Sequence, residues 1–204
     1  MLKSPFVPIR PALITACALL PLFTARAEIL TPPDIITFST EFSGQYAALN
    51  VFDGDATDFA SQGAGLDTFL EFQFTAAQTF DRIVVMNRDS PARDDWVGDF
   101  TLTLNDAATV SVTREAKRGV SGVHSLGSPV TAAKVRLDVD TLGTGGPVAN
   151  NTGAMEIFFI KTPEGSVPVD SLTVTEFATL FNVDYAAATA SRPGFLTLQR
   201  DFPS

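Results

Sequence analysis

A chain of 204 residues, 45% hydrophobic and 18% charged, is long enough for one sizeable core and is neither a disordered acidic tail nor a fibrous repeat. Its 23 acidic residues outnumber 14 basic ones, a formal charge of −9, so it lacks the basic footprint that nucleic acids and anionic membranes require. One His and one Cys exclude Cys/His zinc clusters and disulfide frameworks, and leave a single imidazole as candidate base for Ser-His-Asp chemistry.

The first 27 residues read as a secretory signal peptide. Lys3 and Arg10 precede the apolar run Ala12 to Phe23 (ALITACALLPLF), and Ala25-Arg26-Ala27 is an A-x-A cleavage site. The run is too short to span a bilayer, and no other segment reaches the roughly eighteen apolar residues a span needs. A competing reading takes Ile14-Thr15-Ala16-Cys17 as a lipobox with Cys17 lipidated, although the residues after Cys17 stay apolar. Cleavage after Ala27 removes Lys3, Arg10, Arg26 and Cys17 but no acid. The expected product is a secreted, periplasmic or cell-surface domain without cysteine, held by its core and by a metal where one binds.

From residue 28 to 160 the sequence predicts strands separated by turns. Thr68 to Phe74 (TFLEFQF) alternates apolar and polar residues, and Phe80 to Met86 (FDRIVVM) is a more fully buried run. Phe100 to Leu104 alternates and ends at the turn pair Asn105-Asp106. Val110 to Thr113, Ala133 to Val139 and Ala154 to Ile160 complete six or seven strands, and Gly143-Thr144-Gly145-Gly146-Pro147 is loop. Short strands with long non-hairpin loops predict an all-β fold, an antiparallel β-sandwich with jelly-roll topology. Seventeen Phe against one Trp and two Tyr suit a compact core better than an aromatic binding surface. Lys161 to Pro168 is a linker, and the capping box Thr173-Val174-Thr175-Glu176, followed by Phe177, Leu180 and Phe181, predicts a short helix near 174–182 in the tail 161–204.

Tyr46 to Ser61 (YAALNVFDGDATDFAS) resembles the signature of the coagulation factor five/eight type C, or discoidin, domains, which include bacterial carbohydrate-binding modules of the galactose-binding-domain-like fold. Downstream, the strands at 68–74 and 80–86, Ala133-Lys134-Val135-Arg136-Leu137, and Met155-Glu156-Ile157-Phe158 follow the family's order. The resemblance covers roughly residues 36–160. Two positions depart from the pattern: Asp58 stands where the family usually has Thr, and Ala60 where it usually has Trp.

Asp53-Gly54-Asp55-Ala56-Thr57-Asp58 crowds three carboxylates and a hydroxyl around a glycine, the hard-oxygen density calcium needs; the alternative is an Asx-turn loop with solvated carboxylates. The resemblance implies a structural calcium held by Asp53, Asp55, Asp58 and Glu156. The segment 87–96 (NRDSPARDDW) should be an exposed end loop, where Arg88 and Arg93 fork onto sugar hydroxyls and Trp96 stacks on a pyranose face. The alternative pairs both arginines with Asp89, Asp94 and Asp95 on the surface and makes Trp96 a plug at the sandwich edge. The loop also looks like that of the fucose-binding branch, but Ser90 and the lack of an upstream His do not support fucose. Asn150 and Asn151 sit in the loop that, by the resemblance, helps line the ligand mouth, and Asn150-Asn151-Thr152 has the form of a glycosylation sequon.

His124 is read as a surface or partly packed residue, because no nucleophile elbow accompanies it. The expectation is a non-catalytic exported module binding a glycan or another extracellular surface. The alternatives are an adhesive domain docking proteins through its tail, and a small hydrolase.

Overall fold

The computed structural model describes residues 27–53, 57–114, 116, 120–145, 148–163 and 197–200. Eight strands form one hydrogen-bonded network: β1 (Glu28–Ile29), β2 (Asp34–Phe38), β3 (Phe69–Asn87), β4 (Phe100–Leu104), β5 (Ala108–Val112), β6 (Val120–Val139), β7 (Ala154–Lys161) and β8 (Thr197–Arg200). Every pairing is antiparallel except β8, which runs parallel to the start of β6. No helix among the described residues is long and apolar enough to cross a membrane.

The network becomes a sandwich because β3 and β6 each serve both layers. The first half of β3 lies between β2 and the end of β6, which pairs onward to β4 and β5. The second half of β3 lies between β7 and the start of β6. Two irregularities fold the ribbon over. Between Gln73 and Gln78, residues 74–77 of β3 oppose a single residue of β6, and Gln73 Nε2 staples the bulge by donating to the carbonyls of Phe74 and Ala133, both at 3.0 Å. Between Phe80 and Arg82 the excess lies on β6 instead, in Leu126 to Pro129, where Gly127 takes φ +78°. Such bulges bend a strand and raise its twist, letting it change sheets.

The layers close on phenylalanine. Phe159 of β7 meets Phe72, Phe74 and Phe80 of β3 edge-on, at ring separations of 5.5, 5.3 and 5.1 Å. These are favoured aromatic geometries, and all four rings are buried.

The all-β sandwich is as expected, with three differences of detail. The segments 68–74 and 80–86 are one bent strand, because Phe74 to Ala77 forms a bulge and not a turn. The run 120–130 is the first half of β6, although its Gly, Ser and Pro read as loop. His124 is therefore not at the surface: it is 0% exposed, faces Phe100 at 5.8 Å, and lies over Gly122, where any Cβ would come 2.1 Å from its Nε2. The expected signal peptide (1–27, but for Ala27) and the helix near 174–182 lie outside the described residues.

Phe159→Ala is expected to destabilise the domain by about 3–5 kcal/mol in denaturant unfolding, because a cavity opens where three rings converge. A loss below about 1 kcal/mol would show that Phe159 does not close the layers.

Candidate functional site

At one end of the sandwich four segments meet: the turns around Tyr46, the loop at 57–63, the loop 88–96 leaving β3, and the segment 148–153 entering β7. Asn87 closes the third at its base. Its side chain donates to the Val97 carbonyl and accepts from the Val97 amide, both at 3.0 Å, so the amide is occupied by backbone.

Arg88 holds the segments together. It is only 7% exposed. Its Nε donates to Asp58 Oδ2 at 2.6 Å and its Nη1 to Asp95 Oδ2 at 3.2 Å and to the Asn151 carbonyl. Its Cζ lies 5.3 Å from the Tyr46 ring centre, within cation–π range. Asp95 also accepts from the Ser90 hydroxyl at 2.5 Å and the Asn151 amide at 2.9 Å. Asp94 accepts from the amides of Ala149 and Asn150, and its carbonyl accepts from the Thr152 hydroxyl at 2.7 Å. The adjacent carboxylates thus replace backbone partners for a loop in which Asn150 takes a left-handed φ of +54°.

Beside this brace is a cavity of about 320 Å³ lined by Gln45, Tyr46, Thr57, Asp58, Arg88, Asp89, Ser90 and Pro91. Of the five expected ligand-binding residues, only Arg88 lines it. Trp96 is half-buried: its indole N–H donates to the Ser90 carbonyl at 3.0 Å, and its ring packs against Gly143, where an added Cβ would come 2.9 Å from Cε3. Arg93 is exposed and donates to the Thr144 carbonyl at 2.9 Å. Asn151 Oδ1 and the Asn150 carbonyl accept from the amides of Gly63 and Gly65, both at 3.0 Å. None of these four lines the cavity. Gln45 is not reached from the sequence, Ser90 enters there only as an argument against fucose, and Tyr46 only as the first residue of the signature.

The residues expected to hold calcium are placed differently from one another. Asp53 is exposed and accepts from the Thr57 hydroxyl at 2.6 Å, Asp58 is bonded to Arg88, and Glu156 is 0% exposed within β7. Asp55 lies outside the described residues. Among the described residues no three of His, Cys, Asp and Glu gather into a group able to hold a metal ion.

The family model for the F5/8 type C domain matches residues 35–154, more than half of the chain. The chain belongs to the F5/8 type C family. Solved structures similar to this F5/8 type C domain include CBM32-1 from a family 31 glycoside hydrolase of Clostridium perfringens, at 14% identity and TM-score 0.51, over 63% of this chain and 93% of that one. The CBM32-1, CBM32-2 and M60 catalytic domains of ZmpB from C. perfringens match at 17% identity and TM-score 0.53, over 67% of this chain and 15% of that one. The family 32 CBM of C. perfringens NanJ, in complex with galactose, matches at 17% identity and TM-score 0.49, over 61% and 91%. No curated protein matches the chain.

Asp95→Ala is expected to cost about 3–5 kcal/mol in equilibrium unfolding, because it leaves a buried guanidinium half-paired and releases the Ser90 hydroxyl and the Asn151 amide. A cost under about 1 kcal/mol would mean that Arg88 is satisfied without it.

Proposed function

We propose that this F5/8 type C domain is an exported, non-catalytic module that binds carbohydrate in the cavity beside Arg88. The observation that carries the reading is the cavity itself. Side-chain donors and acceptors from Gln45, Thr57, Asp58 and Ser90 stand with the Tyr46 ring around a space of about 320 Å³, at the low end of the roughly 300–1,000 Å³ of small-ligand sites. Their supports are fixed by the Arg88 brace, so little ordering is lost on binding. Two further observations support it: family membership, and the carbohydrate-binding modules among the solved structures that share the fold. Export rests on the leader pattern of residues 1–27.

The absence of catalysis draws support from His124, the chain's only histidine, which is buried against Phe100 in the core and has no access to a ligand in the cavity. Contact through a shallow mouth implies weak affinity per site, on the order of 0.1–1 mM.

The test is titration calorimetry on ligands drawn from a glycan array. A saturable glycan should lose about tenfold or more in affinity with Tyr46→Ala, a residue of the cavity lining, while Trp96→Phe, outside that lining, should keep it within about threefold. Equal loss in both, or no saturable glycan at all, sinks the reading and favours protein contact instead.

A further inference from the structure

We propose that residues 174–182 lie across the outer face of the layer formed by β7, the second half of β3 and the start of β6, making it the middle layer of three. The tail is then part of the fold and not an arm for docking proteins. The inference is independent of the carbohydrate reading.

The two outer faces of the sandwich differ. On the first layer, Thr101 and Thr103 of β4 and Lys134, Arg136 and Asp138 of β6 alternate with core residues and keep partial exposure. That is the pattern of an antiparallel sheet with one wet face. On the second layer, Ile83, Val85, Ile157 and Phe159 belong to the inner core, so the residues alternating with them point outward. These are Val84, Met86, Val123, Phe158 and Ile160, all apolar and only 0 to 8% exposed. Val84 stands opposite both Val123 and Phe158. Glu156, opposite Met86 on the same face, is 0% exposed. Side chains stand perpendicular to a sheet, so strand neighbours cannot cap them and another element must lie over them. Among the described elements, those packed against β7 are its strand neighbours and the turn at 48–52, whose Ala48 and Val51 belong to the inner core.

Topology names the occupant. β3 is antiparallel to both β7 and β6, and β8 is parallel to β6. β7 and β8 therefore run the same way with β3 and β6 between them, and a chain joining parallel strands must cross a face of the sheet. The inner face is filled by Phe159 and its neighbours, which leaves the outer one. The exit is aimed accordingly. Thr162, the first residue past β7, accepts from Arg82 Nη1 at 2.8 Å and donates its amide to Asp81 Oδ1 at 2.7 Å, drawing the chain toward β3. The crossing covers three strand spacings, about 14 Å. Within 162–196, Phe177, Leu180 and Phe181 recur at helical spacing behind the capping box, and a helix over 174–182 would measure about 13 Å. The residues ahead of β1 are anchored to this layer at one edge only, whereas 162–196 is anchored on both sides.

The test places the photoreactive analogue p-benzoylphenylalanine at Phe158 of the full chain, irradiates it and maps crosslinks by peptide mass spectrometry. Crosslinks should fall on residues 174–182 of the same chain. Crosslinks to residues 1–26, to a second copy or to the strands alone overturn the proposal, as does the absence of any.

A second measurement leaves the sheet unaltered. In thermal melts, Leu180→Asp should lower the midpoint by at least about 4 °C, because it sets a carboxylate against an apolar face. Thr179→Asp, which helical spacing puts opposite the apolar stripe, should lower it by less than about 2 °C. Equal shifts overturn the proposal and leave the carbohydrate reading to the Tyr46→Ala titration.

Discussion

A guanidinium withdrawn from water must be surrounded by partners or it will not stay folded, and the functional end of this domain is organised around that requirement. Arg88 reaches carboxylates from two different loops and a carbonyl from a third segment. Desolvating the ions costs several kcal/mol each, so the brace adds little net stability, but breaking it leaves an unpaired buried charge. Its main contribution is placement. Loops of this length would otherwise sample many arrangements, and here they share a common cation.

The scaffold supplies the other half of that placement. β3 ends at Asn87, whose amide group grips Val97, so Arg88 leaves a fixed strand end into a loop pinned on both sides. The opposite end of β3 belongs to the other layer, and the bulges that carry it across are held by Gln73 and permitted by Gly127. Site and core are therefore joined through one strand, since the strand that carries Phe72, Phe74 and Phe80 ends at Asn87, directly before the arginine.

Where periodicity is local, the sequence was legible. The alternation of Phe100 to Leu104 and the run Ala154 to Ile160 became β4 and β7 almost residue for residue. The first half of β6 was not, because Gly122, Ser125, Gly127 and Pro129 carry turn propensity that pairing with β3 overrides; Gly122 is there for the His124 ring, a contact invisible in one dimension. At the site, the pairing of Arg88 with Asp95 was legible as the alternative to an arginine facing a ligand, but the burial of that pair and its second carboxylate, Asp58, were not. Whether an arginine faces a ligand or its own protein depends here on acids thirty residues upstream and seven downstream. Asp94 and Asp95 looked like surface charges, since nothing in the chain announces that the amides of residues 149–151 would come to rest on them.

The shared ribbon has a kinetic corollary. Neither layer contains a complete set of its own strands, so no half of the sandwich can assemble and wait for the other. The β3–β6 pairing joins residues some 35 to 70 positions apart before either hydrophobic face has a lid. A chain of this kind crosses its folding barrier late and all at once, and pays the loop-closure entropy before collecting the burial that repays it.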